Sequence, residues 1–177
     1  MMTSDSKSQT VPELIISAAL IVVLFAATLS AFVFVKQMYV SSISQGNIQQ
    51  DANLILSKII KGGPEPGGLF RLSEAVSYRI QSISELHYNG TDGVERWIAL
   101  SNGGTSIIYH HPTSTGTRDE VIYTAPQGAI ITLRFWMPTG DVYQNINVGI
   151  DVAISQYIFG RNISGSATTI INIRNHY

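Results

Sequence analysis

Glu13 is the residue of this chain whose position asks most of its surroundings. It stands just inside the start of QTVPELIISAALIVVLFAATLSAFVFV, residues 9–35. From Leu14 to Val35 there are 22 residues without a charge, and only Ser17, Thr28 and Ser30 carry a polar side-chain group. As a helix this run spans roughly 33 Å, close to the ~30 Å hydrocarbon core of a bilayer. A carboxylate driven to the centre of that core costs on the order of 2.5–3.5 kcal/mol, and less near the interface. Its charge therefore needs compensation. The plainest source is the helix dipole, which favours an acid in the first turn.

The remaining reactive side chains are dispersed. His110-His111 is the paired imidazole, but neighbours on a strand point to opposite faces and do not share one metal ion easily. His87 and His176 are distant in sequence and lack ligand spacing. Asp92, Glu95, Asp119, Glu120, Asp141 and Asp151 are scattered; the NGTDG loop or Asp119-Glu120 offers hard oxygen ligands without an EF-hand spacing. No G-x-S-x-G, HExxH or Walker A motif occurs. Asn89-Gly-Thr and Asn162-Ile-Ser fit the glycosylation pattern. Trp97 and Trp136 sit in apolar strand contexts and read as core residues rather than ligand platforms. The expectation is a protein that is not an enzyme, with no cofactor and no metal.

The elements that would carry these residues follow from periodicity. Ile48, Ala52, Ile55 and Ile59 recur at helical steps, with Asn47, Asp51, Lys58 and Lys61 off the stripe. Gly62-Gly63-Pro64 is a stop signal. Together these predict one helix from Pro12 to Lys61, about 75 Å long, with Gly46 as a soft point. Its stripe is expected to cover one face of a sheet. Residues 62–68, GGPEPGG, read as a loop, and Leu69–Ile80 as a short helix or a strand. Strands are expected over 84–88, 95–100, 105–110, 120–124, 128–136, 142–154 and 168–174, separated by turn-rich segments. Gly103-Gly104 is a hairpin signal, and 146–154 alternates apolar with polar or small residues. A helix followed by a run of strands is an α+β order.

Composition narrows the function classes. The net charge of −1 and a charged fraction of 13% leave no basic stripe, so nucleic acid is not an expected partner. There is no cysteine, so a domain outside the cytoplasm would rely on packing alone. Lys7 and Lys36 flank the apolar run one on each side, and charge sets no orientation. An ordinary secretory signal has an apolar region of about 7–15 residues and an A-x-A-like site. This run is longer, and no such site follows before Lys36.

Ser8-Gln9-Thr10-Val11-Pro12-Glu13-Leu14 resembles the prepilin-type cleavage and methylation segment of type IV pilin-like proteins. In that family a short polar leader ends in a small residue, and the mature chain places a Glu a few residues before about twenty apolar ones. Here the leader is MMTSDSKS, with Ser8 where the family usually has Gly and Gln9 where it usually has Phe. Glu13 falls in the family's Glu register, and Pro12 suits a first helical turn. More loosely, ITLRFWMPTGD (131–141) and the closing TTIINIRN (168–175) resemble minor type IV pilins and the J-type minor pseudopilins of type II secretion systems.

The resemblance implies a leader at 1–8, a transmembrane and assembly helix at 9–35, its amphipathic continuation at 36–61, and a β-rich domain at 62–177. It implies cleavage between Ser8 and Gln9 by a prepilin peptidase, with the leader in the cytoplasm. The implied location is the inner membrane, with the domain outside the cytoplasm, and then a pilus or pseudopilus. Further implied partners are other pilin or pseudopilin subunits, an inner-membrane assembly platform and the lipid bilayer. Glu13 would pair with the N-terminal amine of a neighbouring subunit. Two rival readings are a membrane-tethered binding or sensor domain that never assembles, and a secreted enzyme with an unrecognised site.

Overall fold

The computed structural model describes residues 10–62, 72–113, 116–138 and 147–173. Helix α1 runs from Val11 to Lys61 without interruption, through Gly46. Gly62 ends it: its φ of 77° takes the left-handed turn that glycine tolerates, and its N–H bonds the Lys58 carbonyl at 3.0 Å. Lys58 and Lys61 occupy the last turn, where the helix dipole favours cations.

The chain divides into two compact units, Met1–Ser42 and Ile43–Tyr177. In the first, the apolar side chains of α1 are exposed among the described residues. Leu24 is 66% exposed and Phe32 68%. The most apolar 18-residue window of α1 has a mean hydropathy of 2.7, so this helix is long and apolar enough to cross a membrane. Two of its hydroxyls find partners within the helix: Thr28 bonds the Leu24 carbonyl at 2.8 Å and Ser30 the Ala26 carbonyl at 2.9 Å. That matters in hydrocarbon, where an unpaired hydroxyl is costly.

The second unit joins the end of α1 to eight strands, an α+β fold. A 3-10 turn at Leu72–Glu74 leads into β1 (Ser77–Ser82), which settles the open helix-or-strand reading of that stretch as some of each. Then come β2 (Glu85–Asn89), β3 (Glu95–Leu100), β4 (Ser106–Thr113) and β5 (Gly116–Thr124), an antiparallel meander in chain order. Strands β6 (Ala129–Trp136), β7 (Asn147–Ile158) and β8 (Arg161–Asn172) make a second antiparallel sheet. The hairpin signal holds, with Gly103 and Gly104 both at positive φ between β3 and β4.

One core lies between the two sheets and the helix. Ile48, Ala52, Ile55 and Ile59 meet Leu86, Ile98 and Ile107 of the larger sheet, and Ile131, Leu133, Val152 and Ile154 of the smaller. Each buried Ile, Leu or Val among them contributes about 1.5–3 kcal/mol. Strand β6 crosses the turns of the larger sheet, where the Ile131 N–H bonds the Gly104 carbonyl and the Phe135 N–H bonds the Ile83 carbonyl. The helix does not simply cover one sheet face, as its stripe suggested. It also bonds one edge strand of each sheet, β8 and β5. Gln49 donates to the Ser166 carbonyl at 2.7 Å and accepts from the Ser166 N–H at 3.2 Å, standing in for a strand neighbour of β8. On β5, the Tyr123 hydroxyl donates to Asp51 at 2.7 Å, and Lys58 donates to the Ile122 carbonyl at 3.1 Å. Losing water and facing Asp51 both push the Tyr123 phenol up.

Gly165 makes the helix contact on β8 possible. A Cβ there would lie 2.7 Å from the Gln49 nitrogen and 2.8 Å from its Cα, which are backbone atoms that cannot step aside. Gly165→Ala is therefore expected to destabilise the folded unit by about 1–3 kcal/mol. A lowered urea midpoint with unchanged slope is the expected reading; an unchanged midpoint would show that the helix is not seated on β8.

Candidate functional site

The start of α1 is built by local chemistry. Thr10 precedes the helix, and its backbone N–H donates to Glu13 Oε2 at 2.9 Å. The Leu14 N–H returns to the Thr10 carbonyl at 3.2 Å. This is the acidic half of a capping box, T-x-x-E, in which a side chain satisfies a backbone donor that the helix leaves unpaired. Pro12 falls in the first turn, where no N–H is needed. Glu13 thus has a local partner, and its carboxylate sits where the helix dipole favours it. Ser8 and Gln9, the expected cleavage pair, lie outside the described residues, as do Asp141 and His176.

A second arrangement lies across the outer face of the five-stranded sheet. Register sets Arg79 opposite His87, His87 opposite Trp97, Trp97 opposite His110, and His110 opposite Asp119, one residue from each strand. The three rings stack. His87 and Trp97 have centroids 5.4 Å apart with planes at 9°, and Trp97 and His110 are 4.9 Å apart at 15°. Carboxylates tie the ends. His87 Nε2 meets Glu85 at 2.7 Å and its Nδ1 meets Glu95 at 3.0 Å, while His110 Nδ1 meets Asp119 at 2.5 Å. Arg79 also approaches Glu95, at 3.6 Å. A recess of about 200 Å³, bounded by Tyr78, Arg79, His87, Asn89 and Glu95, opens beside the row.

This placement corrects the reading of Trp97 as a core residue. It is half-buried, on the face opposite Leu86, Ile98 and Ile107, with an imidazole on each side. Trp136 lies over Gly149, where a Cβ would fall 2.2 Å from its ring. Its Nε1 is buried without a hydrogen-bond partner among the described residues. His110 and His111 do separate to opposite faces, His111 stacking on the buried Tyr109 at 5.4 Å.

Three of the scattered carboxylates, Asp92, Glu95 and Asp119, have protein partners. Asp92 of the NGTDG loop accepts from the Arg96 guanidinium through both oxygens and from the Val94 N–H. The Arg96 hydrogen bonds hold the Asp92 carboxyl well below the usual carboxylate range. Asp119 is engaged by His110, and Asp151 lies opposite Arg134 in register. Among the described residues, no three His, Cys, Asp or Glu side chains are placed to hold one metal ion. Of the glycosylation-pattern residues, Asn89 donates to Ser77 at 3.1 Å and Asn162 lies in β8.

Comparison with family models, with curated protein sequences and with solved structures finds no match to this chain.

Proposed function

We propose that the chain is a minor pilin or pseudopilin subunit that acts by assembly rather than catalysis. A prepilin peptidase cuts it after Ser8, and an inner-membrane platform draws its helix out of the bilayer into a filament of related subunits. The observation that carries this reading is the long apolar first part of α1 with one acid in its first turn. A single carboxylate, in the first turn, opens an uncharged run that continues without a break into a helix packed on antiparallel sheets. In lipid the exposed apolar side chains of 14–35 face hydrocarbon; in a filament they face the same segment of neighbouring subunits. Glu13 then exchanges its capping contact for the new N-terminal amine of a neighbour, a pairing that penalises wrong register because an unpartnered buried charge is costly.

The intact mass of the membrane-bound protein tests this. Cleavage between Ser8 and Gln9 leaves 177 − 8 = 169 residues. A chain that still begins at Met1, or begins near Lys36, would overturn the assembly reading.

One observation favours a second reading. The capping box accounts for Glu13 within its own chain, so a single-pass anchor carrying an extracytoplasmic binding or sensor domain needs no neighbour. Such a protein keeps its leader.

A further inference from the structure

We propose that Asn102 is a self-modifying site. Its side-chain amide is lost as ammonia through an imide ring closed by the Gly103 nitrogen, and the isoaspartate that follows loosens the hold of the β3–β4 turn on β6. Asn-Gly or Asp-Gly pairs occur at Asn89-Gly90, Asp92-Gly93 and Asn102-Gly103. Each has the composition for ring closure, because glycine puts no side chain between its nitrogen and the neighbouring side-chain carbonyl. The fold separates them.

Asn89 is held at both ends. It closes β2, its carbonyl takes the Val76 N–H at 2.8 Å, and its amide donates to Ser77 Oγ at 3.1 Å. The Gly90 nitrogen that would attack donates its hydrogen to the Val94 carbonyl at 3.2 Å, and a Cβ at Gly90 would fall 2.6 Å from the Arg96 guanidinium. Asp92 is bound by Arg96 through both oxygens, and the Gly93 N–H donates to the Gly90 carbonyl at 3.0 Å. By contrast, Asn102 and Gly103 are both exposed in the turn between β3 and β4. Among the described residues, neither the Asn102 amide nor the Gly103 N–H makes a hydrogen bond. A Cβ at Gly103 would meet nothing within 4 Å, so side chain and nitrogen have room to approach.

The step balances with water as its co-reactant. Base takes the Gly103 N–H proton, the nitrogen bonds to Asn102 Cγ, and the amide nitrogen leaves as ammonia with a proton from water. Water then opens the imide. Cutting the bond from the Gly103 nitrogen to Cγ gives aspartate. Cutting its bond to the main-chain carbonyl carbon gives isoaspartate, in which the chain runs through Cβ and Cγ.

This turn is where the two sheets are joined. The Gly104 carbonyl accepts from the Ile131 N–H at 2.7 Å, and the Thr105 carbonyl from the Ala125 N–H at 2.8 Å. A Cβ at Gly104 would lie 3.1 Å from the Ile131 carbonyl oxygen, so β6 passes close over the turn. Isoaspartate lengthens the main chain just before Gly104 and displaces the carbonyl that holds Ile131. Aspartate adds charge alone and leaves the chain path intact.

The test ages the full chain in detergent micelles, in warm and mildly alkaline buffer, and follows peptide masses and hydrogen exchange. The Asn102 peptide should lose most of its unmodified form, faster at higher pH because the attacking nitrogen must lose its proton, while the Asn89 peptide keeps its mass. In urea the two peptides should convert alike. Asn102→Gln, whose longer side chain closes only a larger and slower ring, should stay unmodified there. The isoaspartate fraction should exchange the Ile131 amide faster than the fresh chain, and Asn102→Asp should exchange it like the fresh chain. The proposal is overturned if the Asn102 peptide of the folded chain keeps its mass, or if Asn89 converts as fast there. It is equally overturned if the two differ as much in urea, or if isoaspartate leaves Ile131 protected.

Discussion

Glu13→Gln should leave the chain cleaved and inserted in the membrane yet reduce its incorporation into filaments by more than about a hundredfold. The substitution is clean, because Gln also serves at that position of a capping box and preserves the helix start while removing the charge. As a first-turn acid, Glu13 contributes only about 0.3–1 kcal/mol through the dipole. As one member of a dry ion pair between subunits, its loss strands the partner's charge at roughly 3–5 kcal/mol, and each 1.4 kcal/mol is a factor of ten. The two readings of the chain therefore differ by orders of magnitude in one experiment. Recovery of the subunit in a sheared filament fraction, or by crosslinking to related subunits, is the measurement. Variant recovery equal to the wild type's in filaments would show that Glu13 is not an assembly contact, and absence of the wild type itself from that fraction would favour the plain membrane anchor.

Ile55→Asp should unfold the compact unit. Ile55 is fully buried, in the middle of the stripe that bridges the two sheets. Removing its side chain alone costs about 2–5 kcal/mol, and leaving an unpaired carboxylate in that place adds several more. The sum rivals the whole stability of a domain, about 5–15 kcal/mol. A chain beginning at Lys36 is expected to be soluble and folded, and in that background the variant should show no cooperative transition. Leu54, one residue away and 47% exposed, is the control. Its replacement by Asp should change stability by no more than about 0.5 kcal/mol. Equal melting of both variants and the wild type would mean that the stripe does not pack.

The helix was legible because its signals agree. Pro12 marks its first turn, the stripe Ile48, Ala52, Ile55, Ile59 has the helical step, and Gly62 supplies the left-handed stop. What the stripe could not say is that its polar neighbours are also used. Asp51 and Lys58 read only as lying off the stripe and Gln49 gave no signal, yet each bonds an edge strand, because the strands that complete them come from more than 60 residues later. Strand β8 was expected only from residue 168 and begins at Arg161. Two features hid it. Residues 162–168 are mostly small and polar, with Gly165 where the helix presses, and the β7–β8 turn is Phe159-Gly160, with Phe159 at a φ of 47°. A phenylalanine in that region is an outlier, and turn chemistry built on Asn, Asp or Gly does not anticipate it.

The ring row was within reach of the sequence and was missed. A hairpin centred on Gly103-Gly104 sets Trp97 opposite His110, as the structure shows. Following that register outward, rather than judging each residue by its own apolar context, would have placed Trp97 on the wet face between imidazoles. His87 joins through the 90–94 turn, held by Asp92 and Arg96, whose geometry no simple dipeptide rule gives.

The hydrogen bonds between Gln49 and Ser166 span 117 positions of sequence, and this sets an order of events during synthesis. At about 5–20 residues per second, the ribosome needs on the order of 6–23 s to deliver β8 after the helix residue that pairs with it. Throughout that interval the stripe of α1 lacks its final mate, and the core that Ile48 and Ile55 complete cannot close. The apolar run, made first and long enough to cross a membrane, would have time to enter a bilayer before the compact unit folds. Such distant contacts are slow to form and expose apolar surface while they wait. Early insertion would keep nascent copies tethered to the membrane during the stage at which they are most prone to aggregate.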